Sequence, residues 1–103
     1  IPNVEVTWTN PPVGVPVLWW RSVEHTHTAF SKEVLIDEFA RRAGRDPLAY
    51  RLDLLAADPR ATAVLKLAAD RAGWGTPTPP GVARGLAVHT SFGSVVAQVA
   101  EVR

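Results

Sequence analysis

Apolar and polar residues change period twice along this chain. Val4, Val6 and Trp8 alternate with Glu5 and Thr7, the two-residue period of a strand with one buried face, so residues 1–9 are expected to be extended. Asn10-Pro11-Pro12 ends that pattern, and Gly14 and Pro16 keep the next stretch irregular. Val17 to Trp20 is a short apolar run suited to a buried extended segment that delivers the chain to Arg21.

From about Thr28 to Ala43 the period becomes helical. Ile36, Phe39, Ala40 and Ala43 are spaced i, i+3, i+4, i+7, with Phe30 and Val34 widening the same face. Asp37, Glu38, Arg41 and Arg42 are placed largely away from it, and Gly44 is the expected stop. Asp46-Pro47 opens a second helix, because Asp46 can accept from first-turn amides and Pro47 needs no N–H there. Leu48, Leu52 and Leu55 make its buried stripe. Asp58-Pro59 caps a third helix, with Val64, Leu65, Ala68 and Ala72 facing the core and Gly73 ending it. Three prolines between Gly75 and Gly81 exclude regular structure. Arg84–Thr90 and Ser94–Val102 then read as two strands joined near Phe92-Gly93.

The order strand, loop, three helices, two strands predicts an α+β fold. Residues 1–103 are expected to form a single partial domain, about three helices packed on an antiparallel or mixed sheet. The chain has room for one modest core. Eleven basic and ten acidic residues nearly cancel, which gives no footprint for nucleic acid. No apolar run reaches the length of a membrane span. Cysteine is absent, excluding a disulfide, a thiolate nucleophile or a Cys-ligated iron–sulfur cluster within these residues. Methionine is absent too, and the last strand pattern stops at Arg103 with no turn or tail. Both lead to the expectation of a piece of a longer protein.

The chemistry-bearing residues concentrate in Trp19-Trp20-Arg21-Ser22-Val23-Glu24-His25-Thr26-His27, immediately before a helix. Backbone N–H groups at a helix N-terminus point outward and favour an anion or a bound oxo group. An H-x-H pair can turn both rings to one side, so His25 and His27, with Glu24 or His89, are one reading as metal ligands; solvent-exposed or satisfied histidines are the other. No metal site and no catalytic residue is assigned. Ser91 and Ser94 lack the glycine pattern of a nucleophile elbow and read as turn residues. Asp37 and Glu38 are adjacent on a helix and diverge, which excludes paired acid–base work.

Pro16-Val17-Leu18-Trp19-Trp20-Arg21-Ser22-Val23, then Ala29-Phe30 and Ile36-Asp37-Glu38-Phe39-Ala40, resembles a segment of molybdenum hydroxylase large subunits. These are the molybdopterin-binding subunits of the xanthine dehydrogenase and aldehyde oxidase family, and the likeness is nearest to the branch that holds the isoquinoline 1-oxidoreductase beta subunits. Gly44-Arg45-Asp46-Pro47-Leu48, Ala72-Gly73-Trp74-Gly75, Arg84-Gly85-Leu86-Ala87 and Phe92-Gly93-Ser94 follow in the family's order. The resemblance implies oxidative hydroxylation of an aldehyde or N-heterocycle at a molybdopterin-type molybdenum cofactor, with water supplying the oxygen. It implies as partners the remainder of the large subunit and an iron–sulfur subunit or domain that carries electrons away. It assigns Arg21 and Ser22 to cofactor contact and Val23 to the substrate pocket. Glu24 departs from the pattern, standing where the family has Gly. The family's glutamate base, in a distant Gly-rich segment, is not among these residues, so the fragment is expected to be inactive alone. The alternative is a small non-catalytic protein-interaction domain with Trp8, Trp19 and Trp20 as its contact surface.

Overall fold

The computed structural model describes residues 3–16 and 18–103. Among them are α1 (His25–Arg42), α2 (Pro47–Leu54), α3 (Pro59–Arg71) and an antiparallel hairpin of β1 (Ala83–Ser91) and β2 (Ser94–Val102). The α+β class expected from the sequence is the observed one.

Each helix boundary has a local cause. Asp46 Oδ1 accepts from Ala49 N–H at 2.9 Å, Asp58 Oδ1 accepts from Ala61 N–H at 2.9 Å, and a proline follows each cap. α1 and α3 end alike: Gly44 (φ 64°) and Gly73 (φ 62°) take the left-handed conformation. Arg45 N–H then reaches back to Ala40 C=O and Trp74 N–H to Ala69 C=O, both at 2.9 Å, closing the last turn. The hairpin turns on Phe92 (φ 46°) and Gly93 (φ 76°), flanked by the Ser91–Ser94 pair. Two consecutive positive φ values are what a two-residue turn between twisted strands requires.

Alternation along the hairpin puts Leu86 and Val88 of β1, with Val95, Ala97 and Val99 of β2, on one face. Leu65 of α3 is fully buried against that face, with Leu48, Leu52, Leu55 and Trp74 around it. Trp74 Nε1 donates to Asp46 Oδ2 at 2.9 Å, so the residue that caps α2 also fixes the indole.

Three expectations fail. Residues 3–9 form no strand: Val4, Val6 and Trp8 are exposed and lie beside no described partner strand. The 17–20 segment is not a buried extension, since Leu18, Trp19 (96 % exposed) and Trp20 all face solvent, while Val17 lies outside the described residues. The phase of α1 is also rotated. Its inward positions are Glu33, Ile36, Asp37 and Ala40, whereas Phe30 is 72 % and Phe39 38 % exposed. The helix starts at His25, one turn earlier than expected, and turns a carboxylate-bearing face inward because Arg51 of α2 waits there. In α3 the deepest positions are Ala61, Leu65 and Ala69; Val64, Ala68 and Ala72 are half-buried beside them.

Candidate functional site

Residues 21–24 form an exposed turn directly ahead of α1. Val23 N–H donates to Trp20 C=O at 3.0 Å and His25 N–H to Ser22 C=O at 2.9 Å. The hydroxyl of Thr26 donates to Arg21 C=O, and that of Thr28 donates to Glu24 C=O at 2.7 Å. The carbonyls of the turn are thus taken up by the first turn of the helix. Ser22 (φ 61°) and Val23 (φ 48°) are left-handed, a conformation disfavoured for any residue with a Cβ and most for a β-branched one. Among the described residues none accepts a hydrogen bond from the N–H of Arg21 or Ser22. Arg21, Ser22 and Val23 therefore lie together on one exposed turn.

Glu24, the N-cap position of α1, has helical angles and makes no side-chain cap. Its carboxylate is 64 % exposed, with Oε1 3.8 Å from His25 Nε2. His25 reaches across to β1: its Nδ1 lies 2.8 Å from His89 Nε2. The two rings meet edge to face with centroids 5.0 Å apart, and the Phe92 ring meets His25 the same way with centroids 5.7 Å apart. Lys32 Nζ approaches His89 Nδ1 at 3.2 Å and Val88 C=O at 3.2 Å. Burial, then the charges of Lys32 and His25, hold the His89 pKa below its ordinary value, against an opposing pull from Glu33. His27 stays apart on the exposed side of the helix. No group of three or more His, Cys, Asp or Glu able to hold a metal occurs among the described residues.

Behind the histidines lies a buried ionic clasp. Arg51, 1 % exposed, donates through Nε to Glu33 Oε2 (2.9 Å), through one terminal nitrogen to Asp37 Oδ1 (2.6 Å) and through the other to Glu33 C=O (3.0 Å). Glu33 Oε2 also accepts from Val88 N–H at 3.0 Å. Its Oε1 sits 3.1 Å from Lys32 Nζ, an ion-pair distance without hydrogen-bond alignment. Burial pushes the Glu33 pKa up; the bonds from Arg51 and Val88 N–H, the adjacent Lys32 ammonium and the charge of Arg51 outweigh it and hold the group below its ordinary value. The clasp has a signature in the sequence: Arg51 falls on the Leu48, Leu52, Leu55 stripe, and Glu33 and Asp37 fall on the stripe of Ile36 and Ala40. Each buried stripe therefore carries opposite charge at matching depth.

A groove of about 550 Å³ runs between α1 and the outer face of the hairpin, lined by Ala29, Phe30, Val34, Ala87, Val96 and Ala100 among others. No helix among the described residues is long and apolar enough to cross a membrane.

The chain is similar to parts of oxidoreductase subunits. It is 31% identical over 105 residues to the beta subunit of the isoquinoline 1-oxidoreductase of Brevundimonas diminuta, covering 99% of this chain and 13% of the relative. It is 45% identical over 78 residues to the B subunit of the nicotinate dehydrogenase of Pseudomonas putida, covering 76% of this chain and 6% of that protein. The chain thus spans about an eighth or less of the curated relatives it matches. No protein-family model matches it.

Proposed function

We propose that these residues are one segment of the molybdenum-cofactor-binding subunit of an oxidoreductase that hydroxylates an N-heterocycle or aldehyde with oxygen from water. The observation that carries the reading is the similarity over nearly the whole chain to an isoquinoline oxidoreductase subunit, with the Arg21 turn exposed at a helix start. Both relatives are named for N-heteroaromatic compounds, isoquinoline and nicotinate, which favours a heterocycle over an aldehyde as substrate class.

The residues present fit one side of such a cofactor. The N–H groups of Arg21 and Ser22, engaged by no described residue on an exposed turn where Ser22 and Val23 are left-handed, suit an acceptor-rich group approached by backbone. Glu24 is largely exposed, its Oε1 3.8 Å from His25 Nε2, which supports a carboxylate turned to solvent. When bound, the molybdenum centre supplies the two-electron oxidation. The chain's own part is to donate hydrogen bonds from Arg21 and Ser22 and to shape the pocket with Val23. Iron–sulfur centres of a partner subunit or domain complete the electron path. Trp8, Trp19 and Trp20 are exposed to a degree that fits burial against the remainder of the large subunit.

The test is production of the complete subunit with its iron–sulfur partner, followed by molybdenum analysis and turnover of N-heterocycles in ¹⁸O-labelled water. Stoichiometric molybdenum and ¹⁸O in the hydroxylated product support the reading. A folded subunit without molybdenum, or product lacking the label, rejects it.

A further inference from the structure

The turn at residues 21–24 touches the rest of the fold chiefly through the first turn of α1, and that first turn is weakly secured. It has no side-chain cap, since Glu24 at the N-cap is largely exposed and bonds none of the first-turn amides. What holds it to the hairpin is the contact of His25 with His89 and Phe92.

The proton positions in that contact follow from elementary bookkeeping. The Lys32 ammonium only donates, and its Nζ lies 3.2 Å from His89 Nδ1, so Nδ1 must be the bare, accepting nitrogen. A neutral imidazole carries one N–H, so that of His89 sits on Nε2, which lies 2.8 Å from His25 Nδ1. His25 Nδ1 is then an acceptor as well, and its proton sits on Nε2, on the side of Glu24 Oε1. A protonated ring at either place would set N–H against N–H, or against the Lys32 ammonium.

We propose that His89 is a positioning residue for the Arg21–Val23 turn, acting through a one-directional hydrogen-bond chain from Lys32 to His89 to His25. The role toward a cofactor rests on the function proposed above; the chain itself does not. Its surroundings favour the neutral state: Lys32 and His25 face His89 from α1, and Glu33, the acid whose charge opposes them, is already engaged by Arg51 of α2. Acidification converts the chain from attraction to repulsion, so α1's first turn and the Arg21 turn loosen together while the Arg51 clasp holds the rest of the helix.

The experiment needs no cofactor and so stands apart from the test of function. In the 103-residue chain labelled with ¹⁵N-histidine at neutral pH, long-range ¹H–¹⁵N spectra distinguish ring nitrogens that carry a proton from those that do not. His25 and His89 are expected as fixed Nε2–H tautomers, with exposed His27 as the averaging control. Amide exchange gives the second reading. His89→Leu should speed exchange at His25 to Ala29 at least tenfold and leave Phe39 to Arg42 unchanged. His89→Gln, whose amide N–H can replace Nε2–H, should recover most of the protection. Averaged tautomers at either ring, an Nδ1–H on His89, or unaltered exchange in His89→Leu would overturn the proposal.

Discussion

Arg51 Nε donates to Glu33 Oε2 at 2.9 Å across the α1–α2 interface, and the same carboxylate oxygen accepts the Val88 N–H of β1. One buried ion pair therefore joins both helices to the edge of the hairpin. It occupies the place on α1 that an apolar side chain would ordinarily fill.

Removing one partner leaves the other charged and dry. Arg51→Leu is expected to cost about 3–5 kcal/mol, a large part of the roughly 5–15 kcal/mol that stabilises a small domain. Phe30→Ser, on the exposed face of the same helix, is expected to change stability by no more than about 0.5 kcal/mol. Urea midpoints measure both, and comparable shifts would mean that the phase of α1 is misplaced here.

That phase also marks how far the sequence could be read. Helix ends were legible because they are local: Asp46-Pro47, Asp58-Pro59, Gly44 and Gly73 act through neighbours a few residues away. The hairpin was legible because Phe92-Gly93 interrupts two clear alternations. The buried face of α1 was not, since apolar periodicity counts Phe30, Val34 and Phe39 as core and gives no weight to charges that neutralise each other. Matching Glu33 and Asp37 to Arg51 across two stripes would have found it. The alternation of Val4, Val6 and Trp8 misled for a related reason: a strand needs a partner, and none stands beside residues 3–9 among those described. That a turn at Arg21 feeds the start of α1 was legible from its place before a helical pattern. The His25–His89 contact was not, because 64 residues separate its members.

Glu33 sets an expectation for acid. Its folded pKa lies below the ordinary 4.5, so its stabilisation is complete above that value and is lost as pH falls through the depressed folded one. Chemical denaturation between pH 6 and pH 2 should show stability declining below about pH 4.5, and Glu33→Gln should start lower and decline less over that range. Glu38, held at about 2 by Arg41 and then Arg42, is solvent-exposed, so salt should erase most of its effect. An acid limb unchanged by Glu33→Gln would place the sensitive carboxylate elsewhere.

The hairpin turn should be improvable. Phe92 holds φ 46° and Gly93 φ 76°, and a side chain in that region costs about 1–2 kcal/mol. Gly93→Ala should therefore destabilise by about that amount. Asparagine is the residue favoured at Phe92's place in such a turn, but Phe92→Asn also removes the ring edge from His25. Thermal melts should show a gain smaller than the turn alone would give, and a larger gain in a His25→Ala background. Equal gains in both backgrounds would mean that the Phe92–His25 contact carries no energy.

Val23 offers the sharpest test of the proposed pocket, in the complete subunit with its partner. Its side chain is exposed on the turn that carries the N–H groups of Arg21 and Ser22, so bulk added at Val23 changes the space beside those donors without deleting them. Val23→Trp is expected to lower kcat/KM for a bicyclic heterocycle at least tenfold, and for a monocyclic one much less. Molybdenum content should stay the same, since backbone donors survive the change. Val23→Ala keeps a Cβ in the left-handed conformation and only opens space, so it should spare the bicyclic substrate. The pattern separates three roles. Loss of activity on both ring sizes with molybdenum retained would put the turn against the reacting atoms and not the pocket wall. Loss of molybdenum would mean that Val23 supports the cofactor cradle. Unchanged kinetics in Val23→Trp would remove Val23 from the substrate's path altogether.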